Sequence, residues 1–205
     1  MKDNRYTVAP ANTNTAGFAT NVTGAAFTLT AYTSGDGLAH KVTVLNNSAT
    51  DHSGKTLAIV GYDADGRDQT ETLTAPAASV SVTSAKYWGT LTSITPSATI
   101  GADTFNIGWA NTFVTKTFPI NWRRGNAGLS LDVTGTINFD LQQTFDDIQN
   151  TSSAFVWMVN DTATQAGVTA DLVVRYEAHP KAIRLLINSF TNGATIYMGY
   201  TQRDI

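Results

Sequence analysis

Ile137-Asn138-Phe139-Asp140-Leu141 sets large apolar side chains two residues apart, with polar residues between them. That period of two buries one face of an extended chain and wets the other, which is the pattern of a half-buried β-strand. Phe105-Asn106-Ile107-Gly108-Trp109 and Ile183-Arg184-Leu185-Leu186-Ile187 repeat it. Roughly a sixth of the 205 residues are Thr, most of them alternating with apolar residues, as β-branched side chains do on a pleated surface. Thr162 to Thr169 has too few large apolar residues at a 3.6 period for a helix, and no other window does better. The chain reads as all-β.

Short strands recur at regular spacing, near 27–32, 38–45, 57–62, 69–74, 80–82, 87–94 and 104–109, then 129–133, 137–144, 155–159, 172–176, 183–188 and 195–200. Ser34-Gly35-Asp36-Gly37, Asp63-Ala64-Asp65-Gly66 and Asn192-Gly193 supply the turn residues between them. The His179-Pro180 step interrupts the run before Ile183, because Pro cannot donate to a ladder. Two sandwich-like lobes are expected: an immunoglobulin-like one over 25–110 and a jelly-roll-like or sandwich one over 122–205. Residues 1–24, rich in Asn, Thr, Ala and Gly, read as an extended N-terminal arm, disordered alone or ordered against a neighbouring subunit. Residues 111–121 read as a linker or connecting strand. A chain of this size buries roughly 70% of its unfolded surface, enough for a core without metal or disulfide support.

Charged residues make up 14% of the chain, well below the usual ~25%. A surface of Thr, Ser, Asn and Ala loses little side-chain entropy when covered, which suits packing against other protein. A Thr-rich secreted-type sandwich has the same composition. The net charge of −3 argues against nucleic-acid binding, which needs a clustered basic face. The N-terminus lacks the apolar core of a signal peptide, and no run approaches the ~18 apolar residues of a membrane span. Synthesis in a cytoplasm and no membrane partner are therefore expected. The absence of cysteine agrees with a reducing compartment.

Little in the chain suggests chemistry. Asp63, Asp65 and Asp68 form a weak cation candidate, since alternate carboxylates in a loop can supply oxygen ligands; without the glycine and glutamate of a calcium loop, a hairpin turn with solvated aspartates is the simpler reading. Asp146-Asp147 is a weaker version. His40, His52 and His179 fall in no nucleophile or metalloprotease context and read as surface or strand histidines. Glu71 and Glu177 are the only glutamates, and nothing links them as a catalytic pair. No catalytic residue, cofactor or resident metal is expected. Trp88, beside Tyr87, and Trp122, beside the basic pair Arg123-Arg124, are the interaction candidates; Trp109 and Trp157 sit at core-facing strand positions. A sugar-binding platform of such aromatics is the competing reading, and a solvated turn competes for Arg123 and Arg124.

Two longer stretches resemble known proteins. Asp63-Ala64-Asp65-Gly66-Arg67-Asp68-Gln69-Thr70-Glu71-Thr72-Leu73-Thr74-Ala75-Pro76 leads through Ser84-Ala85-Lys86-Tyr87-Trp88 to Thr92-Ser93-Ile94-Thr95. It resembles a D-x-D-G hairpin with a T-E-T strand, then a Ser-x-basic-aromatic strand, in structural proteins of tailed bacteriophages. Residues 133–147, Val-Thr-Gly-Thr-Ile through Gln143-Thr144-Phe145-Asp146-Asp147, and Pro180-Lys181-Ala182-Ile183-Arg184-Leu185-Leu186-Ile187-Asn188 are similar to a recurring pair in the same group. The likeness covers most of residues 38 to 200. It implies a many-copy building block of a virion made in the host cytoplasm, with capsid decoration or cement protein as the first role and neck or tail component as the second. It also implies a homo-oligomer, a trimer or ring, that contacts capsid or tail proteins. A carbohydrate-binding module on a tail appendage is the alternative.

Overall fold

The structure, a computed structural model, describes residues 4–120, 127–149, 155–159, 164–176 and 180–202. Fifteen strands and no helix occur among the described residues. In chain order they are β1 (Asn4–Val8), β2 (Asn14–Val22), β3 (Ala39–Asn46), β4 (Thr56–Tyr62), β5 (Asp68–Thr74), β6 (Ser81–Trp88), β7 (Thr90–Pro96), β8 (Phe105–Val114), β9 (Phe118–Pro119), β10 (Ala127–Thr134), β11 (Ile137–Thr144), β12 (Met158–Val159), β13 (Leu172–Tyr176), β14 (Ala182–Phe190) and β15 (Thr195–Gln202). The protein is all-β and of sandwich type, built from antiparallel sheets.

The chain divides into two compact units. One is Ala11–Phe113, the inserted unit; the other, the split unit, joins Met1–Pro10 to Val114–Ile205. The division differs from the expected lobes at 25–110 and 122–205. The expected N-terminal arm is not one element: β1 pairs with β15 in the split unit, from Asn4 opposite Tyr200 to Val8 opposite Ile196, while β2 pairs with β8 in the inserted unit. The expected linker also dissolves, because β8 runs on to Val114 and β9 pairs with β14.

In the inserted unit β8 pairs with β2 and β3, and β3 pairs with β6; β4 lies between β5 and β7 in a separate three-stranded sheet. Their inner faces share one core, in which Leu57, Ile59, Leu91 and Ile94 meet Val44, Phe105 and Ile107. Strand β4 alternates without a break, burying Leu57, Ile59 and Gly61 and exposing the residues between. Each such Leu, Ile or Phe side chain contributes about 1.5–3 kcal/mol when it leaves water.

The expected strand at 27–32 is absent although its apolar alternation is real. Phe27 and Leu29 are buried, yet the backbone bonds go elsewhere: Phe27 N–H donates to Ile94 (3.3 Å), Leu91 N–H to the Tyr32 carbonyl (2.8 Å), and Thr30 N–H to Phe18 (2.8 Å). The segment covers the free edge of β7 as an irregular strap and ties it to β2.

Strand β2 escaped the periodicity because its fit depends on glycine. A Cβ on Gly17 would collide with the Trp109 ring, and one on Gly108 would collide with the Asn14 carbonyl. These two contacts let a strand poor in large apolar residues lie against β8, where Phe18, Ala19 and Val22 are buried.

In the split unit one sheet has the order β1-β15-β10-β13, and β11 joins β12 to β14, which also holds β9. Phe139 lies opposite Ile187 and Leu141 opposite Leu185, all fully buried, with one bulge between Asn138 and Phe139. The Asn192-Gly193 turn links β14 to β15, and Gly193 takes a φ of 79° that the side chain of another residue would oppose.

Replacing Gly108 by Ala should destabilise the protein by about 1–3 kcal/mol, as overpacking does, because the obstacle is backbone. The expected outcome is a lower midpoint in urea unfolding with the slope unchanged. A midpoint equal to that of the parent would show that β2 does not need the close approach.

Candidate interaction surfaces

The Asp63–Gly66 turn uses its carboxylates internally. Asp63 Oδ1 accepts from the amides of Asp65 (2.8 Å) and Arg67 (2.9 Å), and Gly66 supplies the positive φ. The Arg67 guanidinium lies 3.1 Å from Asp65 Oδ2 and 3.7 Å from Asp63 Oδ2. Asp68 is exposed on β5, opposite Tyr62. The three carboxylates therefore do not converge as a cation site: two are spent on the turn and its arginine, and the third points away. No cluster of three or more metal-ligating side chains occurs among the described residues.

Glu71 is bound to the neighbouring strand edge. Its two carboxylate oxygens accept the consecutive amides of Ala85 (2.7 Å) and Lys86 (3.0 Å) on β6. Lys86 Nζ returns a bond to the Thr70 carbonyl (2.6 Å), and Gln69 Nε2 donates to the Tyr87 carbonyl (2.6 Å). These side chains fasten β5 to β6, closing two strand edges that have no main-chain ladder between them. Within β6 itself Ser84 fills a bulge opposite β3, accepting from the Val42 amide (2.9 Å) and donating to the Lys86 carbonyl (2.8 Å).

With its edges covered, the three-stranded sheet presents one exposed outer face. Thr56, Ala58, Val60 and Tyr62 of β4 are exposed there, opposite Thr74, Thr72, Thr70 and Asp68 of β5. Thr95 stands beside Ala58 on β7, and Ser93 beside Val60. Asp68 is the one charge in these rows. Val60 and Tyr62 are 38% and 40% exposed, a notable share for apolar side chains at the middle and end of a strand.

The tryptophans sort differently from expectation. Trp88 is a core residue, 2% exposed, and is withdrawn as an interaction candidate: adjacent strand residues point to opposite faces, and it is Tyr87 that turns outward, its ring 5.3 Å from Lys41 Nζ. Trp109 is buried, as its strand position implies, and its Nε1–H donates to the Asn12 carbonyl (2.8 Å). Trp157 is half-buried rather than core, and the Arg184 guanidinium stacks 4.2 Å from its ring centre while donating to Gln142 Oε1 (2.8 Å). Trp122, Arg123 and Arg124 lie outside the described residues, as do His179 and Glu177.

His40 and His52 are not surface histidines. His40 is buried on β3, with Nδ1 3.0 Å from the Ala110 carbonyl and Nε2 2.7 Å from Asp36 Oδ2. Asp36 also accepts from the Ala11 amide (2.7 Å), the Leu38 amide (3.0 Å) and the Ser34 hydroxyl (2.5 Å), so one turn carboxylate ties four chain positions together. His52 donates through Nε2 to Asp103 (2.9 Å) and accepts from Lys55 Nζ at Nδ1 (3.1 Å), while that ammonium also donates to the Thr99 carbonyl (2.7 Å). Both clusters brace loops against strands, and neither positions a nucleophile beside a base. Sequence reasoning missed them although His40 and Asp36 are four residues apart and His52 and Lys55 three. The reason is that the partners that bury each cluster, Ala11 and Ala110 for one and Thr99 and Asp103 for the other, are distant in the chain.

Comparison with known protein families and with curated proteins gives no match to this chain.

Burial pushes the Asp36 carboxyl upward, but bonds from His40, Ser34 and Ala11 and the charge on His40 outweigh it and hold the group down at about 2, against an ordinary 3.8. A value depressed in the folded state stabilises the fold above pH ~4 and stops doing so as the pH falls toward 2. The difference in unfolding free energy between the parent and Asp36→Asn should be about 1–2 kcal/mol at neutral pH, allowing for partial solvent screening. It should shrink between pH 4 and pH 2. A gap independent of pH would mean that ionisation of Asp36 contributes nothing.

Glu71→Gln leaves one of the two β6 amides without its carboxylate acceptor, a loss of about 1–2 kcal/mol. Hydrogen exchange should speed up at Ala85 and Lys86 while the Val42 amide, held by Ser84, is unaffected. Unchanged protection at both would remove Glu71 as the fastening between β5 and β6.

Proposed function

We propose that the chain is a structural component of a tailed-phage virion that works by protein–protein contact, in the first place as a capsid decoration or cement protein. The observation that carries the reading is the outer face of β5, β4 and β7. It is rich in Thr and holds Val60 and Tyr62 exposed, with Asp68 the single carboxylate in its rows. Short side chains lose little entropy when covered, so such a face favours docking against other protein. The sequence resemblance supports the same reading, and its quoted residues have physical roles: Asp63 and Gly66 form the turn, Thr70, Thr72 and Thr74 form the face, and Glu71 and Lys86 fasten the strands.

Size adds a constraint. Three strands of seven residues, spaced by ~4.8 Å with ~3.4 Å per residue, present on the order of 350 Å2. A stable interface needs about 800 Å2 from each partner. The face therefore acts as one of several contacts in a symmetric ring or on a repeating shell, where many weak contacts add up. Neck or tail component is the second role within this reading.

The expected arm over residues 1–24, disordered alone or ordered against a neighbouring subunit, gives way to pairing within the chain: β1 and β2 lie in its own sheets, and Phe18 and Ala19 are buried in its own core.

Light scattering of the purified protein over a range of concentrations tests the reading. A trimer or ring, expected as a fixed multiple of 21.9 kDa, should fall back toward the monomer when Val60 and Tyr62 are both replaced by Lys, with the melting curve little changed. An oligomer indifferent to that pair would place the contacts elsewhere. A strict monomer at every concentration would count against self-assembly through this face.

A further inference from the structure

The split unit carries a cleft of about 290 Å3 that the assembly role does not use. One wall comes from β1 with Arg5 and Tyr6, another from Lys116, Phe118 and Pro119 at β9, and Tyr200 of β15 closes it. Both walls are held by backbone. The Thr115 amide donates to the Leu185 carbonyl (3.0 Å), its hydroxyl accepts from the Leu185 amide (3.0 Å) and donates to the Lys116 carbonyl (3.0 Å), and Ile120 N–H donates to Lys181 (2.9 Å). On the opposite side the β1–β15 ladder fixes Tyr6 across from Met198, with Tyr200 two residues further along the same strand.

Inside, the side chains form an aromatic floor with a cation set on it. Tyr6 and Phe118 meet edge to face with centres 5.0 Å apart. Lys116 Nζ lies 5.0 Å from the Tyr6 ring centre and 5.7 Å from that of Phe118, so cation–π attraction, weak as it is for an exposed pair, biases the ammonium toward the cleft. Arg5 also lines the cleft, and its guanidinium lies 6.0 Å from the Tyr197 ring centre. Among the described residues no carboxylate lines the cleft, although acidic groups outnumber basic ones in the chain as a whole, 16 to 13.

We infer that this cleft binds an acidic sugar, a pyranose that carries a carboxylate. Its volume is at the low end for ligand sites and suits one sugar ring. The apolar face of a pyranose packs on aromatic rings, while the ammonium of Lys116 supplies a charge-assisted bond to the carboxylate. A neutral sugar finds the rings without the charge, and a simple anion finds the charge without the rings.

The test is titration of the full-length, isotope-labelled protein by NMR with methyl β-glucuronide, methyl β-glucoside and acetate. Methyl β-glucuronide should shift the signals of Tyr6, Lys116, Phe118 and Tyr200, and should bind about tenfold or more tightly than either of the others, the factor that one charge-assisted bond supplies. Lys116→Met should remove that preference for the acid, whereas Lys116→Arg should keep most of it. Should Lys116→Met fail to fold, raising the salt concentration serves the same purpose: it should weaken glucuronide binding to the parent protein and leave the glucoside unaffected. No shift at these residues, equal affinity for glucuronide and glucoside, or acetate binding as tightly as glucuronide would each overturn the proposal.

Discussion

A β-sheet of limited width leaves unpaired amides and carbonyls along its outer strands, and most of the unusual features of the inserted unit answer that constraint. The edge of β7 is closed by the 27–32 strap, which lends its own backbone without becoming a strand. The edges of β5 and β6 are closed by Glu71, Gln69 and Lys86. A carboxylate that accepts two consecutive amides imitates the carbonyls a further strand would present. Because the edges are satisfied from within, the three-stranded sheet stays three strands wide, and its outer face, not its rim, is what it exposes.

The same solution recurs at irregular points. Ser84 supplies the acceptor that a bulge removes from Val42, Thr115 does so for Leu185, and Asp36 gathers Ala11, Leu38, Ser34 and His40 around one buried carboxylate. Small polar residues thus take over the role that charged surface networks play in other proteins. This gives the low charged content a structural meaning: several of the few carboxylates the chain has are spent on its own backbone.

Much of the fold was legible in the sequence. The period of two located β4, β5, β11, β13 and β15 to within one or two residues, because each has one buried and one wet face and a turn residue at its end. It failed where burial and hydrogen bonding part company. Phe27 and Leu29 alternate like strand residues but belong to a strap, and β2 is a true strand whose fit comes from Gly17 and Gly108 and not from large side chains. Trp88 was misread because adjacency to Tyr87 says that one of the two leaves the core but not which. The sugar cleft was out of reach for another reason: Tyr6, Lys116 and Tyr200 are brought together only by the long-range pairing of β1 and β15 and the tie from Thr115 to β14.

That long-range pairing also sets an order of events at the ribosome. Asn4 meets Tyr200, so β1 is made long before its partner. At 5–20 residues per second, β1 waits roughly 10–40 s before its ladder can form. All of Ala11–Phe113 emerges in the meantime, and with it the strands that pair β2 with β8, β3 with β6, and β4 with β5 and β7. The inserted unit can therefore be complete while the split unit still lacks its first strand's partner, and β15 acts as a latch that closes the second unit only once translation has carried the chain nearly to residue 202.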